Sequence, residues 1–188
     1  AALILGTMGV QAAGFVQKGN YLTVQLKQHQ NYGPSQIRLQ VVSDRIIRVQ
    51  ATAEQNFRSK QSLIIVPQNS KAKYKVEEQG DDLIITTAAM RAVLNEATGQ
   101  IIFYDLKDQV LLKEVAQGGK TFKPFTVPDR EIGVDIAKVP EAQKHGWSWR
   151  ALFDSPDNEA FYGLGQHQSE ELNMKGKNED LFQYNTKV

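Results

Sequence analysis

Hydrophobic and polar positions alternate with a period of two along most of the chain, as in strands that bury one face and solvate the other. In residues 21–29 (YLTVQLKQH), Leu22, Val24 and Leu26 share one face, while Thr23, Gln25 and Lys27 share the opposite one. Ile37, Leu39 and Val41 repeat the alternation, and residues 45–50, 62–66, 74–76, 82–87 and 90–95 continue it. Turn-forming residues separate the runs: Lys18-Gly19-Asn20, Ser43-Asp44, Gln79-Gly80-Asp81 and Ala97-Thr98-Gly99. Residues 95–105 (NEATGQIIFYD) read as a hairpin in which Gly99 supplies a positive φ. Residues 109–114 (QVLLKE) add a further strand. No segment sustains an apolar 3.6-residue period for three turns. The pattern predicts an all-β fold, an antiparallel β-sandwich.

Two regions interrupt the alternation. Residues 117–128 read as a loop holding Phe122, Pro124 and Phe125, and residues 154–159 (DSPDNE) as a polar connection. Neither has the length of an interdomain linker, and there is no internal repeat. Trp147 and Trp149 alternate within residues 145–153 (HGWSWRALF). With Leu152 and Phe153 following, a core position is the favoured reading. Stacking against a sugar ring is the alternative.

Composition narrows the class. At 188 residues the chain fits one domain with a substantial core. Its 22 Lys and Arg against 21 Asp and Glu are dispersed, which argues against a nucleic-acid partner or an acidic membrane surface. The absence of cysteine removes disulfides and thiolate metal sites. Residues 1–13 (AALILGTMGVQAA) form an apolar stretch too short to span a bilayer, which takes about 20 residues. The stretch ends in small residues and resembles the second half of a secretory signal without its basic start. A buried first strand or a fraying tail is the other reading, although Gly6, Gly9 and Gly14 suit neither a strand nor a helix interior. The expectation is an exported protein, periplasmic or at the cell surface, whose domain occupies residues 14–188.

A search for chemistry returns little. The acidic residues cluster in turns: Asp81-Asp82, Asp105 and Asp108, Asp154 and Asp157, Glu170-Glu171, Glu179-Asp180. Nothing marks any two of them as the paired carboxylates of acid–base catalysis. His29, His145 and His167 lie far apart and lack metal-ligand spacing. Gly163-Leu164-Gly165 lacks the third glycine and the following helix of a dinucleotide loop. The residues themselves assign no catalytic group, no metal and no cofactor.

The last 28 residues are more specific. Phe161-Tyr162-Gly163-Leu164-Gly165-Gln166-His167, then Leu172-Asn173-Met174-Lys175-Gly176-Lys177, then Gln183-Tyr184-Asn185-Thr186 resemble, in order and spacing, the signature of glycoside hydrolase family 31. Upstream, residues 37–49 (IRLQVVSDRIIRV) resemble an early strand pair of that family, and residues 84–105 the middle of its first domain. The resemblance covers about residues 20–188. It implies a galactose-mutarotase-like sandwich, cut short at its C-terminal end, standing before a (β/α)8 barrel. Both catalytic aspartates of the family lie on barrel loops, one in a Trp-x-Asp-Met-Asn-Glu motif that is absent here. The implied fragment is therefore inactive by itself. The implied parent is a retaining, exo-acting α-glucosidase or α-xylosidase that needs no metal or cofactor and acts on oligosaccharides.

By the same resemblance, the glycines at 163 and 165 let the backbone approach a neighbour, and Phe161 and Tyr162 anchor a strand in the sandwich core. A packing edge against the barrel and a loop reaching substrate are both open roles for this segment. Asn185, Thr186 and Lys187 are the implied substrate-binding positions. Many family members have an aspartate where this chain has Lys187, and a glutamate where it has Gln166. Lysine accepts no hydrogen bond from a sugar hydroxyl. The Gln-His-Gln and Gln-Tyr-Asn-Thr variants look more like bacterial α-xylosidases than starch-type α-glucosidases. A free-standing carbohydrate-binding or mutarotase-like module is the alternative to the whole reading.

Overall fold

A computed structural model describes residues 14–27, 31–58, 65–66, 70–117, 119–126, 135–163 and 171–178. Contacts divide the chain into two units, residues 1–154 and 155–188. The regular structure described in the first unit is almost entirely strand. β1 (Phe15–Lys18), β2 (Tyr21–Gln25), β3 (Gln36–Ser43) and β4 (Ile46–Thr52) form one antiparallel sheet in chain order. β5 (Lys75–Gln79), β6 (Asp82–Thr86), β7 (Met90–Asn95), β8 (Ile101–Asp105) and β9 (Val110–Lys113) form a second, also in chain order. β10 (Lys120–Thr126) and β11 (His145–Ala151) make a two-stranded ribbon, and the one-turn helix α1 (Glu141–Lys144) leads into β11.

The period-two alternation builds the core directly. Leu22 and Val24 of β2 and Ile37, Leu39 and Val41 of β3 pack in one cluster with Leu83, Ile85, Leu94 and Ile101 of the second sheet. Fully burying each such side chain contributes roughly 1.5–3 kcal/mol, and this inter-sheet layer is what holds the sandwich together. The expected hairpin is present. Gly99 turns at φ 73°, and Asn95 Oδ1 accepts from the Thr98 N–H and hydroxyl, each at 3.0 Å. Gly19 and Gly80 turn at φ 61° and 66° in the two-residue β1–β2 and β5–β6 turns.

A polar clamp joins the sheets at one end. Lys27, just beyond β2, bonds Asp81 at 2.8 Å and Glu96 at 3.0 Å, and those partners hold its ammonium above the usual lysine range. Its N–H also donates to the Glu96 carbonyl at 3.0 Å.

Two expectations are corrected. Residues 120–126, read as part of a loop, are β10. Pro124 is tolerated because each strand of a two-stranded ribbon has a side that needs no ladder hydrogen bond. Trp147 and Trp149, favoured as core, are 42% and 66% exposed, because they line an open cleft rather than a packed interior. Of the strand expected at 62–66, the described residues Ile65 and Val66 belong to no strand, and residues 62–64 lie outside the described set.

Candidate functional site

The ribbon sets its aromatic residues in register. Phe122 lies opposite Trp149, Pro124 opposite Trp147, and Thr126 opposite His145. Cross-strand partners share a face, so one face of the ribbon carries two indoles, a phenyl ring and a pyrrolidine. In β4, Ile47, Val49 and Ala51 pack against the core, which places Arg48, Gln50 and Thr52 on the outer face of that sheet. Together with Glu54, Phe57 and Arg58 just beyond β4, the two faces line an open cleft of ≈ 430 Å³.

Polar contacts order this cleft. Glu54 Oε1 accepts from Arg58 Nη2 at 2.8 Å and from the Trp147 indole N–H at 3.4 Å. The Arg58 hydrogen bond, followed by that of Trp147, holds the Glu54 carboxyl below the usual carboxylate range. His145 Nε2 lies 2.9 Å from Glu141, and its Nδ1 lies 3.1 Å from the Thr126 hydroxyl. Lys144 and then His145 lower the Glu141 carboxyl in turn. Arg48 is half-buried, and its guanidinium has no polar partner among the described residues.

A second hollow, of ≈ 720 Å³, lies on the outer side of the same sheet, lined by Tyr21, Thr23, Gln36, Arg38 and Asn56. Phe57 lines both hollows. The Arg38 guanidinium sits 4.0 Å from the centroid of the Phe57 ring and 5.7 Å from that of Tyr21, both within cation–π range.

Ring faces and planar hydrogen-bonding groups in one open cleft suit binding rather than bond cleavage. Glu54 is the one carboxylate lining the first cleft among the described residues, whereas retaining glycoside cleavage uses two. Among the described residues, no three His, Asp or Glu side chains are grouped to hold a metal ion. Sequence reasoning had singled out Trp147 and Trp149 but missed Arg48, Glu54, Phe57 and Arg58. The i,i+4 spacing of Glu54 and Arg58 was the available signal, and it is a weak one.

The signature residues belong to the second unit. Phe161 N–H donates to Asn173 Oδ1 at 3.0 Å, and Met174 N–H donates to the Phe161 carbonyl at 2.7 Å. The first two signature elements are thus bonded to each other through the Asn173 side chain and the backbone. Lys177 pairs with Glu171 at 2.7 Å, and Gly176 turns at φ 76°. Gly163 turns at φ 100°, in the left-handed region that favours glycine. Phe161 and Tyr162 are exposed, and no strand runs through 161–163. Leu164, Gly165, Gln166, His167, Asn185, Thr186 and Lys187 lie outside the described residues.

The glycosyl hydrolase 31 N-terminal galactose mutarotase-like domain matches residues 36–187. The chain belongs to this family. It is similar to a family 31 α-xylosidase from Xanthomonas citri, with 34% identity over 90% of the chain and a TM-score of 0.71. A family 31 α-xylosidase from a soil metagenome, crystallised with xylose, shares the fold at 24% identity over 87% of the chain, with a TM-score of 0.57. An uncharacterised family 31 glucosidase from Pseudescherichia vulneris is 24% identical over 81% of the chain. The chain spans 29% of that curated relative and 16% of the Xanthomonas enzyme. The family domain thus supports the antiparallel, galactose-mutarotase-like sandwich expected from the alternation.

Proposed function

We propose that this chain is the non-catalytic N-terminal domain of an exported, retaining, exo-acting α-glycosidase of α-xylosidase type. The observation that carries the reading is the 34% identity to the Xanthomonas α-xylosidase, over nearly all of this chain and a small part of that one. In this reading residues 14–188 form the domain, and the catalytic carboxylates lie on a downstream (β/α)8 barrel, which is its partner. Oligosaccharide is the substrate, with Asn185, Thr186 and Lys187 on a loop near the sugar. The domain supplies packing for the barrel and a base for that loop. Residues 1–13 belong to the export signal, and the enzyme works in the periplasm or at the cell surface. No helix among the described residues is long and apolar enough to cross a membrane.

The test is hydrolysis by the full-length polypeptide of an aryl α-xyloside against an aryl α-glucoside. Faster turnover of the xyloside is expected. Preference for the glucoside would overturn the substrate class, and failure to cleave either would overturn the glycosidase reading. Cell fractionation tests export: enzyme confined to the cytoplasm would refute it.

A further inference from the structure

The geometry points to the cleft between β4 and the β10–β11 ribbon as a binding site for a neutral oligosaccharide, with sugar rings on Trp147 and Trp149 and hydroxyls on Arg48 and Glu54. The inference extends the carbohydrate reading above, but it rests on residues that reading does not use.

Three features carry it. The first is the ring surface. Trp147 and Trp149 are both tryptophans of the chain, and both stand exposed on one strand face, with Phe122 and Pro124 opposite them. The C–H face of a pyranose is apolar and fits such rings, while its rim of hydroxyls stays free to bond polar groups.

The second feature is what surrounds the rings. Arg48, Gln50, Thr52, Glu54 and Arg58 share the cleft with them. The core of a protein–protein interface is depleted of charge, because unmatched charges there lose their water. A cleft so densely interleaved with charge suits a ligand carrying many hydroxyls better than an apolar protein surface. Glu54 is held ionised and aligned by Arg58 and Trp147, ready to accept from vicinal hydroxyls. Arg48 offers a guanidinium that no described residue uses. The Glu54 carboxylate accepts from hydroxyls and would repel a uronate carboxylate placed against it.

The third feature is extent. The ≈ 430 Å³ cleft falls within the roughly 300–1,000 Å³ of small-ligand sites. Phe57 connects it to the ≈ 720 Å³ hollow, where Arg38, Gln36, Thr23 and Asn56 offer further hydrogen-bonding groups. Two adjoining hollows on one sheet face suit an extended chain of sugars rather than a single ring.

Native affinity electrophoresis of the full-length polypeptide, through gels containing xyloglucan in one arm and dextran in another, tests the site. Retardation by at least one of these neutral polymers is expected. Trp149→Ala and Arg48→Gln should each weaken that retardation at least fivefold, and Trp149→Phe, which keeps a ring face, should restore part of it. Thermal melting checks that each variant is folded. Three results would overturn the inference: a wild-type protein that is not retarded, variants retarded as strongly as wild type, or retardation only in a third gel containing polygalacturonate. Retardation by a protein that cleaves neither aryl glycoside would sink the glycosidase proposal and leave the cleft standing.

Discussion

The ammonium of Lys120 closes on the carboxylate of Glu114, and both side chains are nearly buried. Glu114 Oε2 also accepts the Ile101 N–H at 2.9 Å, and Lys120 donates to the Gly99 carbonyl at 3.2 Å. This knot ties the first residue of β10 to the β7–β8 turn and to the residue just after β9. It therefore sets where the ribbon, and the aromatic residues on it, leave the second sheet. Burial pulls the Lys120 ammonium below the usual lysine range, and Glu114 opposes that pull.

Removing the carboxylate alone should strand a buried charge. Glu114→Gln keeps an acceptor for Ile101 but is expected to cost about 3–5 kcal/mol, as broken buried pairs do. The double variant Glu114→Gln, Lys120→Met should recover most of that loss, since an apolar replacement of a whole pair is often neutral. Urea denaturation measures both. Equal destabilisation of the single and double variants would show that the pair is not the source of the effect.

Gly99 carries two constraints that can be separated. Gly99→Ala must hold φ near 73°, at about 1–3 kcal/mol, and its Cβ would stand 2.9 Å from Leu26 Cδ1 and 3.3 Å from Ile37 Cδ1. Gly80→Ala faces a similar φ of 66° with nothing within 4 Å. Thermal melts should therefore place Gly99→Ala clearly below Gly80→Ala, and matching values would rule out the packing contribution.

Core and cleft should respond oppositely to truncation. Leu39 is fully buried in the inter-sheet cluster, so Leu39→Ala is expected to cost about 2–5 kcal/mol. Trp149 is 66% exposed, and Trp149→Ala should stay within about 0.5 kcal/mol of wild type. A large loss for Trp149→Ala in denaturant melts would mean that the indole supports the fold.

Acid should release Trp147 late. The Glu54 carboxyl lies below its ordinary value of 4.5 in the folded chain, so its contacts contribute at pH values above 4.5. They are lost only as the pH falls through the lowered folded-state value. Tryptophan emission should accordingly show an acid step with a midpoint below 4.5, and Glu54→Gln should abolish it. A midpoint at or above 4.5 would contradict the Arg58 and Trp147 contacts.

Much of the sandwich was legible in the sequence. The run 90–95 is β7 to the residue, and Gly19, Gly80 and Gly99 mark three of the turns with the positive φ that their positions require. Alternation also names the core, because Leu22, Val24, Ile37, Leu39 and Val41 are all fully buried. Gly163 carries a positive φ of 100° that the signature alone did not reveal. The candidate cleft was half-visible, through its two tryptophans, and their environment was misjudged.

The sequence by itself determined most of the strands of the two larger sheets, several of their turns and which face of each such strand is apolar. These are local properties, set by the period of two and by backbone preferences within a few residues. Only the tertiary structure decided what covers each face. It made a Pro-containing stretch into β10 by supplying β11 as its partner, and it set Trp147 and Trp149 on an open cleft rather than in the core. It also brought Glu54 to Trp147 across 93 residues of chain. Alternation says that a face is apolar, but which partner meets it depends on packing between segments far apart in the chain.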